Sequence, residues 1–332
     1  MPLTIPGISV IICCYNSATR LTETLTHLTL QKFQQPINWE VIVVNNASTD
    51  NTFEVAKQFG EKSETFNHRL VIVNQPMQGL SYARDMGITS AKYKYIVFCD
   101  DDNWLDSKYL CNAYLIMENN PKIGALGGQG IVATDAEQLP EWFDKHKTGY
   151  AVGRQAGYNG NVSANYALWG AALVTRKELY LKCFPYEYPS FLTGRKGSNL
   201  SAGEDTEFCL RLLLKGFMLY YDDSLQFTHF IPKERLTLQY RERLHKGFEM
   251  AMERLSMYSQ LFEMMRTNLF GKYILFFKKL LGYLSTLFGR KSYNLKNVQI
   301  ATYHLFRLDI GVGEEAKKVY DYYKNYHFKL EK

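Results

Sequence analysis

The sequence predicts an α/β fold: a mostly parallel sheet flanked by helices, followed by a helical, basic C-terminal extension. Three observations predict it. Apolar, β-prone runs alternate with segments of helical periodicity through about the first hundred residues, the pattern of a parallel sheet with crossover helices. A polar cluster follows each of these runs, where a parallel sheet places its ligands. The charge balance also changes sign along the chain. Residues 1–232 carry 20 Lys and Arg against 23 Asp and Glu, a net −3, whereas 233–332 carry 19 against 10, a net +9.

The elements follow in order. Residues 8–15 (ISVIICCY) are continuously apolar, as a strand buried on both faces must be. Ser17 reads as the cap of a helix with Leu21, Leu25 and Leu28 on one face. Residues 41–44 (VIVV) form a second buried strand, which ends in the polar loop NNASTD (45–50). A short helix then runs to about Phe59. Residues 70–73 (LVIV) form a third strand, 79–90 a helix, and 95–99 (YIVFC) a fourth strand. From about 120 to 232 short strands mix with helix fragments and glycine turns at Gly124, Gly127, Gly128 and Gly130. Beyond Pro232 the pattern is helical.

Of the 332 residues 46% are hydrophobic and 22% charged, enough apolar surface for a packed core and too little charge for disorder. The six cysteines form no CxxC pair and four lie in apolar runs, so they read as buried free thiols. No basic stretch leads into an apolar one at the N-terminus, so no signal peptide is expected.

Four polar clusters sit at strand ends: Tyr15-Asn16, Asn45-Asn46, Gln75 and Asp100-Asp101-Asp102. The last is the most demanding, because three carboxylates in a row repel one another. In extended geometry Asp100 and Asp102 point the same way. Their oxygens then suit a hard divalent cation, Mg²⁺ or Mn²⁺, that also binds phosphate. The plainer reading is a solvated strand exit with Asp102 or Asp106 capping the next helix.

The order of motifs resembles the family 2 glycosyltransferases of the GT-A fold. The carrying segments are SVIICCYNSATRLTETLTHLTLQ (9–31), WEVIVVNNASTDNT (39–52), QGLSYARDMGI (78–88), YIVFCDDDNW (95–104), WGAALVTRKEL (169–179) and GEDTEFCLRLLLKGFMLYY (203–221). They span roughly residues 8–230. The resemblance implies an inverting, metal-dependent transferase with a nucleotide-diphosphate sugar as donor, UDP-linked by preference, and Mn²⁺ or Mg²⁺ as cofactor. It assigns Asp102 to the metal and Asp100, with Asp101 beside it, to the sugar nucleotide. Tyr15 would pack on the base, between Cys14 and Asn16. Asn46 would read the base imide, where the family often has Asp; an amide can still donate and accept there, but the base identity is left open. Gln75 and Gly79 would border the nucleotide, and Arg84 would reach the diphosphate or the sugar. Trp169 and Gly170 would line the sugar pocket. Asp205 of the Gly-Glu-Asp run would be the general base, with Glu204 supporting the acceptor. His229 would be a further metal ligand. Each has a structural counterpart: a loop tyrosine, a solvated arginine, a core tryptophan, a structural histidine, an acidic helix start. Processive members carry Gln-x-x-Arg-Trp after the base. The nearest stretch here, LQYRERL (238–244), has no Trp, so a single-sugar, non-processive enzyme is expected.

The expected division is a catalytic domain over 1–232, with a nucleotide-sugar half to about 105 and an acceptor half beyond it, and an extension over 233–332. In that extension a helix over about 269–289 places Phe270, Tyr273, Ile274, Phe276, Phe277, Leu280, Leu281, Tyr283, Leu284, Leu287 and Phe288 on one broad face at about 100° per residue, with only Leu275 out of place. Lys272, Lys278 and Lys279 lie on the other side, and Arg290 and Lys291 follow. Lysines in mid-helix argue against a span and for a helix lying in a membrane interface. The bulky apolar face leaves nucleic acid without a role. The expected partner beside the donor is a glycan or lipid-linked acceptor, and the expected place is the inner face of the cytoplasmic membrane. Two rival readings are a non-catalytic subunit that kept the fold and a sugar nucleotidyltransferase. The second lacks support, since CCYNSATR holds no glycine-rich loop.

Overall fold

The computed structural model describes residues 5–192, 194, 202–286 and 295–325. The first half alternates as expected: β1 (Ile5–Cys14), α1 (Leu21–Thr29), β2 (Trp39–Asn46), α2 (Thr52–Lys62), β3 (Leu70–Gln75), α3 (Leu80–Ser90) and β4 (Tyr93–Asp100). The second half is β5 (Asn103–Leu105), α4 (Tyr109–Asn119), β6 (Ile123–Ala133), α5 (Phe143–His146), β7 (Gly160–Asn161), β8 (Leu173–Arg176), α6 (Lys177–Cys183), α7 (Glu204–Leu214) and β9 (Met218–Phe230). Four helices close the chain: α8 (Leu238–Arg266), α9 (Leu269–Thr286), α10 (Leu295–Phe306) and α11 (Glu314–Asn325).

The strands form one curled sheet in the order β3-β2-β1-β4-β8-β6-β9-β5, with β7 also on β9. β1 to β4 are parallel. Beyond β4 the pairing is mixed: β8 runs antiparallel to both β4 and β6, and β6 is parallel to β9. The register aligns the strand exits, with Cys13 opposite both Val44 and Asp100 and Asn46 opposite Gln75. That alignment gathers the polar clusters at one edge.

The continuous apolar run of β1 divides between two cores. Ile8, Val10, Ile12 and Cys14 pack with Leu21, Leu25 and Leu28 of α1, whereas Ile11 joins Ala83 and Ile88 of α3 on the other face. Alternation along a pleated strand covered on both sides requires this. α3 approaches so closely that a Cβ at Gly87 would stand 2.4 Å from Ile11 Cγ2. One local expectation is corrected. Ser17 does not cap α1; the helix starts at Leu21 with Arg20 at its cap. The Ser17 N–H is held by Thr52 Oγ1 at 2.8 Å, and its carbonyl accepts from Arg20 and Leu21, making a turn that aims Arg20 at Asp101. All six cysteines are free thiols.

The C-terminal helices share the core of the first half. Ile300, Val312, Ala316 and Val319 belong to the same buried cluster as Ile11, Phe98 and Leu210. α9 is seated with its apolar stripe outward. Lys279 turns toward the protein, 3.8 Å from Glu263, and Tyr273 and Phe276 meet Phe306 of α10. Phe270, Phe277 and Leu281 stay 74%, 54% and 65% exposed. Leu287, Phe288, Arg290 and Lys291 lie outside the described residues. Among the described residues no helix is long and apolar enough to cross a membrane.

Candidate active site

A cleft of about 640 Å³ opens at the carboxyl ends of β1, β2 and β4 and the start of α7. It is lined from the first half of the chain by Cys14, Tyr15, Asn46, Gly79, Arg84 and Asp100–Asp102, and from the second by Trp169, Gly170, Glu204, Asp205 and His229. Of the polar strand-end residues singled out from the sequence, Asn16, Asn45 and Gln75 do not line it. Asn16 adopts a left-handed backbone, and its Oδ1 accepts the Thr49 N–H at 2.8 Å, tying two strand exits together. Gln75 accepts from the Met77 N–H at 3.0 Å and donates to the Tyr82 carbonyl. The Asn46 amide is likewise engaged by this loop. Its Oδ1 accepts the Gly79 N–H at 2.8 Å and its Nδ2 donates to the Met77 carbonyl at 2.6 Å. Three amides thus brace the backbone under the cleft.

The aspartate triplet meets cations of its own chain. Arg20 Nη2 lies 2.7 Å from Asp101 Oδ2, and Arg235 Nη1 lies 2.9 Å from Asp102 Oδ2. His229 Nε2 stands 3.5 Å from Asp102 Oδ1, and its Nδ1 is 2.6 Å from the Tyr150 carbonyl, which fixes the ring. Asn103 Nδ2 donates to Asp100 Oδ2 at 3.2 Å. Burial alone would raise the Asp102 pKa, but His229 and Arg235 outweigh it and hold the carboxyl well below the usual range. Asp101 moves the other way: burial and the Asp102 charge raise it against the pull of Arg20. Burial opposes the charge on His229, yet the Asp102 carboxylate keeps the ring above the ordinary histidine value.

The opposite wall is the start of α7. Gly203 enters the helix at φ +100, a left-handed conformation that suits glycine. Asp205 and Glu204 then occupy the first turn, where the helix dipole favours acids. Asp205 Oδ2 accepts the Gly170 N–H at 2.5 Å and Oδ1 accepts the Thr206 N–H at 3.1 Å. A Cβ at Gly170 would lie 2.9 Å from Asp205 Oδ2 and 3.0 Å from Arg84 Nη2, so glycine lets the backbone reach the carboxylate. Arg84 is buried, with Nη1 3.7 Å from Glu204 Oε1 and its guanidinium 4.9 Å above the Phe98 ring. Burial works against its charge, but Glu204 and Asp205 keep it protonated.

The sequence reading missed Arg20, Arg235 and the α8 side chains Tyr240, Leu244 and Phe248, all of which line the cleft. The unbalanced charge of the triplet was a signal that cations must converge there, without saying which. Among the described residues no three ligating side chains converge as a prebuilt metal site. The oxygen donors of Asp100 and Asp102 still fit a hard cation that takes one or two carboxylates and draws its remaining ligands from substrate phosphate and water.

Comparison with known proteins bears on the family and the fold. Residues 9–184 match the family model described as glycosyl transferase family 2. Glycosyltransferase GlyA of Streptococcus pneumoniae is 34% identical over 107 residues, covering 32% of this chain and 14% of that protein. The poly-beta-1,6-N-acetyl-D-glucosamine synthase of Staphylococcus epidermidis is 31% identical over 126 residues, covering 37% of this chain and 28% of that one. The chain thus spans under a third of the length of either relative. The fold is similar to crystal structures of TarS from S. aureus. The complex with UDP-GlcNAc gives a TM-score of 0.54 at 17% identity, covering 76% of this chain and 66% of that one. The complex with UDP gives 0.51 at 18%, covering 76% and 65%. With motifs, fold and more than half its length in agreement, this chain belongs to glycosyl transferase family 2 and has a GT-A fold.

Proposed function

We propose that the protein is an inverting, metal-dependent, non-processive transferase. It moves one sugar from a nucleotide-diphosphate sugar, UDP-linked, to a hydroxyl of a glycan or lipid-linked acceptor in the building of a surface polysaccharide. The observation that carries this reading is the pairing of two acidic groups across one cleft. Asp100–Asp102 stand at the end of β4, and Asp205 faces the same space with its carboxylate oriented by the Gly170 N–H at 2.5 Å. Asp205 takes the proton of the acceptor hydroxyl as that oxygen attacks the anomeric carbon. The new C–O bond forms as the bond to the diphosphate breaks on the opposite face, so the configuration inverts. Mn²⁺ or Mg²⁺ held through Asp102, with Asp100 nearby, would neutralise charge on the departing diphosphate. Tyr15, exposed at the end of β1, offers an aromatic face for the base. The UDP and UDP-GlcNAc complexes of the TarS fold neighbours favour a uridine donor. Thermal unfolding in UDP, GDP, dTDP and CDP, with and without Mn²⁺, tests the site. UDP with Mn²⁺ is expected to raise Tm, by about 2.7 kcal/mol of stabilisation at a hundred times Kd, and Asp102→Ala to abolish the shift. If no nucleotide stabilises the protein under any metal condition, the reading is wrong.

The same proposal places the protein on the inner face of the cytoplasmic membrane, a peripheral contact made through α9. The helix packs by the side carrying Phe276 and Lys279 and presents Phe270, Phe277 and Leu281 outward, an exposed apolar surface rather than a core face. Exposed Lys278 flanks that stripe and suits anionic headgroups. Flotation with phosphatidylglycerol vesicles checks this. The wild type is expected to float and the double variant Phe277→Glu, Leu281→Glu to stay at the bottom. Equal behaviour of the two would remove α9 from membrane contact.

A further inference from the structure

The triplet's two arginines both line the cleft and answer different carboxylates. Arg20, just before α1, pairs with Asp101, just after β4, whose backbone carbonyl also accepts the Thr24 hydroxyl of α1 at 2.8 Å. Arg235 lies on the short turn between β9 and α8, with part of its side chain open to the cleft. Its backbone is pinned: the N–H donates to the Pro232 carbonyl at 2.8 Å, and its carbonyl accepts the Tyr150 hydroxyl at 3.1 Å. A long side chain on a pinned backbone can change partner by rotamer alone, without the turn opening.

Arg235 Nη1 sits 2.9 Å from Asp102 Oδ2, the carboxylate that the proposed function gives to the divalent cation. A dication bound at that carboxylate repels the guanidinium and competes with it for the same negative charge. Within reach of the same carboxylate, a bound diphosphate would offer a planar fork the oxygens it binds best. We infer that Arg235 is an exchangeable counter-cation of the site: it competes with the divalent cation for Asp102 and passes to the donor's diphosphate when cation and nucleotide bind together. The inference rests on the cation-site reading of Asp102. It would make metal and nucleotide binding mutually dependent, because the cation gains Asp102 most readily when phosphate is present to receive the arginine.

The test is Mn²⁺ binding to the full chain, read from the paramagnetic resonance signal of free Mn²⁺, together with UDP binding at saturating Mn²⁺. Arg235→Gln is expected to bind Mn²⁺ alone about tenfold more tightly and UDP with Mn²⁺ about tenfold more weakly. A purely structural role would weaken both, and a simple diphosphate contact would leave Mn²⁺ alone unchanged. Either pattern overturns the exchange. If neither wild type nor variant binds Mn²⁺ even with UDP, the cation-site reading itself fails, which is a separable result. Arg235→Lys guards against misfolding of the neutral variant. It keeps the charge, so its affinity for Mn²⁺ alone should stay near wild type, and a gain like that of Arg235→Gln would refute competition by charge.

Discussion

Asp205→Asn is expected to lower the transfer rate by about 10²–10⁴-fold, the usual cost of losing a general base. The change is nearly isosteric. The amide oxygen can keep the Gly170 N–H, and the one acceptor lost is that of the Thr206 N–H at the helix start, so the cleft should keep its shape. What is lost is the lone pair that takes the acceptor's proton. Donor binding, read by the Mn²⁺-dependent shift in Tm with UDP, should survive, because the triplet stands at the end of β4 and not on α7. Full transfer activity in Asp205→Asn would reject the base assignment. Loss of both activity and donor binding would mean that the residue holds the fold of the cleft instead.

The largest expected effect on stability comes from a residue that touches no substrate. Arg211→Met should cost about 3–5 kcal/mol, the range for breaking one partner of a buried ion pair. Arg211 is buried on α7 and pairs with Glu207 at 2.8 Å. It also donates to the carbonyls of Cys183, Tyr188 and Pro189 at 2.7, 2.6 and 2.8 Å, and its guanidinium lies over Phe184 and Tyr322. Methionine fills the space but leaves Glu207 without its counter-charge and three carbonyls without their donor. Because Tyr258 of α8 donates to Glu207 and Tyr322 belongs to α11, the cluster ties the base-bearing helix to the C-terminal helices. Urea unfolding of the two proteins measures the loss. A difference below about 1 kcal/mol would show that the cluster does not brace α7. The double variant Glu207→Gln, Arg211→Met should be less unstable than the single one, since no buried charge is then left uncompensated.

Much of this architecture was legible in residue order. β1, β2, β3 and β4 are short apolar runs whose neighbours supply the pattern. Their ends carry Tyr15, Asn46 and Asp100–Asp102 because side chains at the end of a buried strand must meet water or a ligand. The acidic start of α7 was legible for a similar reason, since Gly203, Glu204 and Asp205 satisfy a helix start locally. Ser17 misled because the same capping chemistry also builds turns, and only the contact with Thr52 decides between them. Asn46 and Gln75 were recognised as polar strand ends, but nothing nearby in sequence says that their amides are engaged by the loop from Met77 to Gly79.

By itself the sequence determined the α/β alternation, the edge at which the polar groups gather, the acidic character of both walls and the amphipathic pattern of α9. Each of these is a property of neighbouring residues. Only the tertiary structure decided which cation answers which aspartate, which face of α9 turns outward, and that α8 lines the cleft. Arg235 reaches Asp102 across 133 residues, and Arg20 reaches Asp101 across 81. A charge that must be balanced is written locally. The partner that balances it is chosen when the chain closes, because strand order and register place distant segments within a few ångströms of each other.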